Sequence, residues 1–242
     1  MKVSVIIPAA GLGTRMGRNP GDKPAGAQGP GRKQFLVLDD KPILLHTIRK
    51  FASAPAVTEI VVALRPEDRE WAAELVAADN PSKPVRIVAG GDSRQESVEN
   101  ALASLAPDTD LVAVHDAVRP FIDLDTIARV IEEAAASGAA IVGVVPIDTV
   151  KKVHRNKIRQ TIPREHLVLA QTPQVFRYGL LHQAFSQARQ DGFQGTDEAS
   201  LVERLEQVEV SVVPGNDRNI KITKPADLDL ARLYLERERA GG

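Results

Sequence analysis

The chain has 242 residues, of which 43% are hydrophobic, so it is long enough to bury one large core. Its 31 Lys and Arg nearly balance its 32 Asp and Glu, and six Phe, two Tyr and one Trp are too few for a base-stacking surface, which disfavours nucleic acid and membranes as partners. The lack of cysteine excludes disulfides, thiolate metal sites and a cysteine nucleophile. No apolar run has the length of a membrane span and the N-terminus lacks a signal-peptide pattern, so we expect a cytoplasmic protein.

Apolar runs and amphipathic stripes alternate along the first 145 residues. The stripes begin at Pro42, Pro66, Ser93 and Leu124 and predict helices, and Ser93 followed by Glu96 has the spacing of a capping box. The alternation predicts an α/β fold with a doubly wound, mostly parallel sheet of the Rossmann-like type. The five continuous apolar runs are typical of strands buried on both faces, and they cover residues 3–7, 60–64, 85–89, 111–115 and 139–145.

Two segments interrupt this rhythm. Residues 18–31 are rich in Gly and Pro and predict a loop. A polar segment at about 148–168 has short β-type runs around Arg155, which predict a protruding β-hairpin arm. An isolated hairpin is marginally stable in water, so we expect a partner subunit to cover it. Further on, the sequence predicts helices at 180–189, from Thr196 and from Pro225, with a strand at 208–213, all within a single domain of residues 1–242.

A glycine-rich turn, residues 8–16, follows the first predicted strand directly. Glycine there lets backbone N–H groups approach phosphate oxygens, and two neighbouring alanines leave room for a base and a ribose. Arg15 adds a planar cation for oxyanions. The turn lacks the G-K-[ST] ending of a Walker A loop, and Met16 stands where G-x-G-x-x-G needs glycine. The bare G-x-G alone fits an ordinary strand-to-helix turn equally well, whereas the full string with Arg15 and a later lysine favours a phosphate site.

Eight segments in sequence order carry a resemblance to a known family. The chain resembles the 2-C-methyl-D-erythritol 4-phosphate cytidylyltransferases, a family of sugar-phosphate nucleotidyltransferases. The segments are PAAGLGTRM at 8–16, KQF at 33–35, GGDSRQESV at 90–98, DAVRP at 116–120, DTVK at 148–151, AQTPQ at 170–174, TDEA at 196–199 and NIKIT at 219–223. The resemblance implies transfer of CMP from CTP to 2-C-methyl-D-erythritol 4-phosphate, with release of pyrophosphate, in non-mevalonate isoprenoid synthesis.

The same resemblance implies roles for individual residues. Arg15 and Lys33 are the expected catalytic cations at the α-phosphorus. Asp116 follows a parallel strand, where doubly wound folds place ligands, and is expected to hold Mg²⁺ together with the triphosphate. The expected nucleotide-binding residues are Pro8, Ala9, Ala10, Gly11, Gly13, Gly91, Asp92, Ser97 and Ala117. The expected contacts to the acceptor substrate are Asp116, Arg119, Thr149, Arg164, Thr172 and Lys221.

The resemblance also implies a homodimer, because members of this family form a two-fold dimer in which the arms of the two subunits clasp each other. An arm that crosses over would carry Arg164 and Thr172 into the neighbour's pocket. Two departures from the family pattern stand out. Seventeen residues separate Arg15 from Lys33 (33 − 15 − 1), which is several more than is typical, and Val118 replaces the commoner alanine.

Three alternatives stay open on the sequence. A ribitol-5-phosphate cytidylyltransferase would keep the nucleotide site and change only the acceptor pocket. A non-catalytic nucleotide-sensing module would bind CTP and release no pyrophosphate. A nicotinamide-dependent reductase shares the α/β pattern, but the incomplete G-x-G-x-x-G motif counts against it.

Overall fold

A computed structural model describes residues 1–11 and 32–240 of the chain. The predicted loop at 18–31 and two predicted site residues, Gly13 and Arg15, lie outside the described residues. The strands of the described part are β1 (Val3–Pro8), β2 (Val37–Leu38), β3 (Lys41–Pro42), β4 (Glu59–Leu64), β5 (Val85–Ala89), β6 (Leu111–Val114), β7 (Ala139–Val144), β8 (Val150–His154), β9 (Lys157–Ile162), β10 (Leu169–Arg177) and β11 (Ser211–Pro214). Its helices are α1 (Ile43–Ala52), α2 (Arg69–Asp79), α3 (Arg94–Ala103), α4 (Leu124–Ser137), α5 (Tyr178–Gln190), α6 (Glu198–Glu203) and α7 (Pro225–Ala240).

A seven-stranded sheet in the order β11-β7-β10-β6-β1-β4-β5 forms the centre of the molecule. The pairs of β1 with β4 and β6, of β4 with β5 and of β7 with β11 are parallel. Strand β10 runs antiparallel to both β6 and β7. The doubly wound, mostly parallel sheet predicted from the apolar runs is therefore confirmed, and all five predicted runs are strands.

Strand β10 is the central element that the sequence analysis missed. Its middle contains Gln171, Thr172 and Gln174, all less than a tenth exposed. Polar side chains there break the continuous apolar run that marks a buried strand. Each accepts a hydrogen bond from another segment of the chain: Thr172 from the Asp116 amide, Gln171 from the Asn219 side chain and Gln174 from the Ala199 amide. The residues that hide the strand therefore join it to its neighbours.

Apolar side chains pack on both faces of the sheet. In β1, Val5 and Ile7 contribute to one core cluster together with residues of α1 and α4, whereas Ile6 contributes to a second with residues of α3, α5 and α6. This alternation follows from the two-residue period of a strand with both faces covered. A third, smaller cluster contains Val118 and Ile222 and joins the turn after β6 to helix α7.

The helix ends follow the predicted signals with one difference. Ser93 caps α3 by accepting a hydrogen bond from the Glu96 amide at 3.0 Å, as predicted. The Glu96 carboxylate accepts from the Asp92 amide at 2.8 Å, one residue before the position that a capping box requires. Gly138 ends α4 with a φ of 99°, a left-handed conformation that favours glycine.

The predicted arm is a two-stranded hairpin of β8 and β9. Arg155 and Asn156 join the strands with φ values of 48° and 59°, which fits a tight hairpin turn. Val153 and Ile158 on the arm are 55% and 65% exposed, so it presents apolar surface to solvent. None of the helices in the described ranges has the length and apolarity needed to cross a membrane.

Candidate active site

A cleft opens at the carboxyl ends of β1, β5 and β6, where doubly wound sheets place their ligands. Four segments of the chain meet there, together with a lysine from the segment after β11. The described lining residues are Pro8, Ala9, Ala10, Gly11, Lys33, Gln34, Gly91, Asp92, Ser93, Arg94, Ser97, Asp116, Ala117, Val118 and Lys221. The structure therefore brings together every described nucleotide-site residue that the sequence predicted, along with Lys33, Asp116 and Lys221.

The nucleotide side of the cleft is built by close packing of two loops. A Cβ at Gly90 would lie 2.6 Å from the Cβ of Ala10, so only glycine allows this approach. The Ser97 hydroxyl accepts from the Gly91 amide at 3.0 Å and donates to the Ser93 carbonyl at 2.8 Å. These bonds give Ser97 a role in shaping the loop beside the nucleotide role predicted for it.

The buried carboxylate of Asp116 is the electrostatic centre of the site. Its Oδ2 lies 2.8 Å from Nζ of Lys221 and 3.2 Å from Nε of Arg119, and its Oδ1 lies 3.4 Å from Nε of Arg94. Burial alone would raise the pKa of Asp116, but Arg94, Lys221 and Arg119 together hold it below its usual range. Arg119, which sequence analysis predicted as an acceptor contact, thus stands beside Lys221 on the same oxygen.

Arg94 is held in turn by Glu198, the first residue of α6. The guanidinium makes two bonds to the carboxylate, Nη1 to Oε1 at 2.6 Å and Nη2 to Oε2 at 2.9 Å. Burial raises the pKa of Glu198 and would lower that of Arg94, but Glu198 and Asp116 together raise the pKa of Arg94, so the guanidinium stays charged. Sequence analysis treated Glu198 mainly as part of a helix start. No local signal marks the pair, because 104 positions separate its members.

Thr172 connects Asp116 to the buried His115. The Asp116 amide donates to Thr172 Oγ1 at 3.0 Å, and that oxygen lies 3.2 Å from His115 Nδ1. His115 Nε2 lies 3.0 Å from the Arg119 carbonyl. Since the carbonyl can only accept, we assign the ring proton to Nε2, and the Thr172 hydroxyl then donates to Nδ1.

This network corrects the expectation that Thr172 crosses to the neighbouring subunit. Strand β10 pairs with β6 and β7 of its own chain, which fixes Thr172 beside its own Asp116. Thr149 and Arg164 behave differently. Both are exposed, neither is among the described residues that line the cleft, and the Arg164 guanidinium donates to the Ile147 carbonyl.

The residues around Asp116 do not fit a divalent cation. Both of its oxygens already face cationic side chains, which would repel Mg²⁺. Within residues 1–11 and 32–240, no group of three or more His, Cys, Asp or Glu side chains is arranged to hold a metal ion. The geometry argues against the predicted role of Asp116 as a magnesium ligand and favours a role in holding cations.

The cleft lies at the carboxyl end of a doubly wound sheet, is shaped by a glycine at a close backbone approach, and contains several cationic side chains. This combination is typical of a nucleotidyltransferase. The family model for 2-C-methyl-D-erythritol 4-phosphate cytidylyltransferase matches residues 3–237. A curated relative of that name from Solibacter usitatus (strain Ellin6076) is 63% identical over 244 residues, which cover 99% of this chain and 98% of the relative. Another of that name, from Acidobacterium capsulatum, is 53% identical over 97% of this chain and 98% of its own length.

Solved structures of the same family are also similar to this chain. The crystal structure of 2-C-methyl-D-erythritol 4-phosphate cytidylyltransferase from Francisella tularensis is 33% identical, with a TM-score of 0.78 over 96% of this chain and 99% of that one. The corresponding structure from Thermus thermophilus is 34% identical, with a TM-score of 0.76 over 98% and 100%. The chain therefore belongs to the 2-C-methyl-D-erythritol 4-phosphate cytidylyltransferase family, and the family expected from its motifs is confirmed.

The buried imidazole of His115 predicts a pH dependence of stability. Burial lowers its pKa to about 4, whereas the unfolded chain takes up this proton near pH 6.5. The stabilisation is present above pH 6.5 and is lost as the pH falls towards 4, because the unfolded state then binds the proton first. Between pH 7 and pH 4.5, wild type should lose about 2–3 kcal/mol more unfolding free energy than His115→Gln.

Urea unfolding at the two pH values measures this difference. His154→Gln, on the exposed arm, is the matched control and should keep the wild-type dependence on pH. Equal losses of stability in wild type and His115→Gln would show that the imidazole does not titrate as its burial implies.

Proposed function

We propose that this chain transfers CMP from CTP to 2-C-methyl-D-erythritol 4-phosphate, giving 4-diphosphocytidyl-2-C-methyl-D-erythritol and pyrophosphate. A phosphate oxygen of the acceptor attacks the α-phosphorus of CTP, and the bond from that phosphorus to the bridging oxygen of pyrophosphate breaks. The single observation that carries the proposal is the cleft in which Lys33 and Lys221 stand beside the glycine-rich nucleotide loop. Family membership supplies the identity of the two substrates.

The chemistry asks for positioning and charge stabilisation more than for proton transfer. A phosphate monoester is already ionised at neutral pH, so the nucleophile needs no strong base. Negative charge grows around the α-phosphorus as the new bond forms, and fixed cations stabilise that charge. Lys33 lines the cleft in which this occurs, and we assign Arg15 to the same task from its motif.

On the acceptor side, Asp116 cannot itself bind a phosphate, because both are anions. Its proposed role is to hold Arg119 and Lys221 in place for the phosphate of the acceptor. A second hydrogen bond, from Nη1 of Arg119 to the Asn219 carbonyl at 2.7 Å, fixes the guanidinium further. We propose that the divalent cation enters with the triphosphate of CTP, since the described side chains do not form a site for it.

A second copy of this chain is the remaining partner that we propose. Exposed apolar side chains gather on and beside the arm, and a second copy of the chain would cover them. Arg164 and Thr149 lie next to this surface and outside the cleft of their own chain, so we propose that they reach the acceptor pocket of the partner subunit. The apolar residues are Val145, Ile147, Val153, Ile158, Val168 and Leu169.

A screen of pyrophosphate release tests the reaction directly. Purified protein is offered each of the four ribonucleoside triphosphates with methylerythritol phosphate, ribitol 5-phosphate or no acceptor. We expect release with CTP and methylerythritol phosphate and far less with ATP or GTP, because we propose that the loops packed together at Ala10 and Gly90 form a narrow slot that suits the smaller cytosine ring. Preference for ribitol 5-phosphate would identify the sister activity, and binding of CTP without release under any condition would identify a sensing module.

Replacement of Lys33 tests the charge assignment. If the ammonium acts mainly on the transition state, Lys33→Ala should lower kcat about a hundredfold while the KM for CTP changes much less. Lys83→Ala, which removes a lysine that does not line the cleft, is the matched control. Steady-state kinetics with both substrates measures the two effects, and near-normal turnover of Lys33→Ala would remove this residue from the mechanism.

Complementation tests the shared site. Lys33→Ala and Arg164→Ala chains, each expected to have very low activity alone, are mixed and allowed to exchange subunits. If Arg164 serves the partner's cleft, one pocket of each mixed dimer carries both defects and the other carries none, so activity should return to about a quarter of wild type.

The control pairs Lys33→Ala with Arg119→Ala. Arg119 contacts Asp116 of its own chain, so every pocket of that mixed dimer keeps one defect and stays inactive. If the Arg164 mixture also stays inactive after native mass spectrometry has verified exchange, Arg164 works in its own subunit.

A further inference from the structure

Lys33 stands between neighbours that are all held by tertiary contacts. It begins a short 3-10 turn, Lys33–Phe35, in which the Phe35 amide donates to the Arg32 carbonyl at 3.0 Å. The Phe35 ring is 1% exposed and meets the Trp71 ring edge to face, with centroids 4.9 Å apart. Trp71 lies in the first turn of α2, so this helix fixes the turn from the carboxyl side of Lys33.

Gln34 fixes the turn to the nucleotide loop. Its side-chain amide donates to the carbonyls of Ala9 and Gly11, and the residue is 2% exposed. The segment after β1 and the segment that carries Lys33 are therefore joined directly. These bonds set the distance between the two segments.

Arg32 supplies a third contact, on the amino side of Lys33. Its Nε lies 2.6 Å from Oδ2 of Asp68, and its Nη2 lies 2.6 Å from Oε1 of Glu67. The two acids differ sharply in environment, since the side chain of Asp68 is 2% exposed and that of Glu67 is 56% exposed. Neither Arg32 Nε nor Asp68 Oδ2 has a hydrogen bond to any described residue, so the two atoms are neutralised by each other as an ion pair.

A buried ion pair of this kind is poorly explained by stability alone. Removing two charges from water costs free energy that their attraction only partly offsets, and such pairs are best known for fixing one arrangement. Burial raises the pKa of Asp68, and Arg32 opposes that shift. Asp68 directly precedes α2, so the same end of that helix that packs against Phe35 also binds Arg32. The amino end of α2 therefore contacts the chain on both sides of Lys33, through Asp68 on Arg32 and through Trp71 on Phe35.

We propose that the buried Arg32–Asp68 ion pair positions Lys33. The pair orients the Lys33–Phe35 turn so that the Lys33 ammonium contacts the α-phosphate of CTP. The inference rests on the proposed function of Lys33.

Asp68→Asn tests the proposal, because it removes the charge and keeps the size of the side chain. We expect kcat to fall about tenfold, which is less than the roughly hundredfold cost of misplacing a catalytic group by about 1 Å, with the KM for CTP within about twofold of wild type. Glu67→Gln is the matched control, because it removes the exposed partner of the same guanidinium, and it should keep the wild-type kcat. Asp68→Glu should recover part of the loss.

A double-mutant cycle separates positioning from general structural damage. In a Lys33→Ala background, Asp68→Asn should produce no further loss of kcat, because there is no ammonium left to orient. Equal fold-losses in both backgrounds, or an unchanged kcat in Asp68→Asn, would overturn the proposal. If Asp68→Asn fails to fold, Arg32→Gln takes its place with the same expectations. A wild-type kcat in Lys33→Ala itself would instead count against the proposed function.

Discussion

The site depends on one buried anion, the carboxylate of Asp116. Three cationic side chains from separate parts of the chain meet on its two oxygens. Without that charge, Arg94, Arg119 and Lys221 would repel one another in surroundings where water screens poorly. A carboxylate at the end of a central parallel strand is thus what allows positive charge to be concentrated in the cleft.

The balance of charge explains why the cleft suits phosphates. Arg94 is matched by Glu198 through two hydrogen bonds, which leaves Asp116 facing Arg119 and Lys221. The five groups together carry three positive and two negative charges, so the cluster keeps an excess positive charge. Because the buried carboxylates of Asp116 and Glu198 already hold these cations in ion pairs, the cations need little reorganisation when substrate arrives, as electrostatic catalysis requires. The same surplus is what makes Asp116 unsuitable as a ligand for a dication.

Sequence analysis predicted the elements whose signals are local. The five early strands are continuous apolar runs because both faces of the sheet are covered, and the hairpin arm follows from its turn residues and polar strands. Strand β10 was missed because site residues such as Thr172 interrupt its apolar pattern. The Arg94–Glu198 pair could not be found because nothing in the sequence near either residue marks its distant partner. The cleft residues themselves were found through family motifs, and composition and periodicity would not have identified them.

Val118, the departure from the family's usual alanine, has a structural consequence that reaches the site. Its side chain is buried in the small cluster that includes Ile222 and residues of α7, and its carbonyl accepts from the Ile222 amide at 2.9 Å. Ile222 follows Lys221 directly, so the backbone next to that lysine is joined to the turn that carries Asp116. The larger side chain adds apolar contact at this junction, and the backbone bond does not depend on its size. Val118 also lines the cleft, so the substitution is accommodated at the edge of the site, in packing that supports the Lys221–Asp116 ion pair.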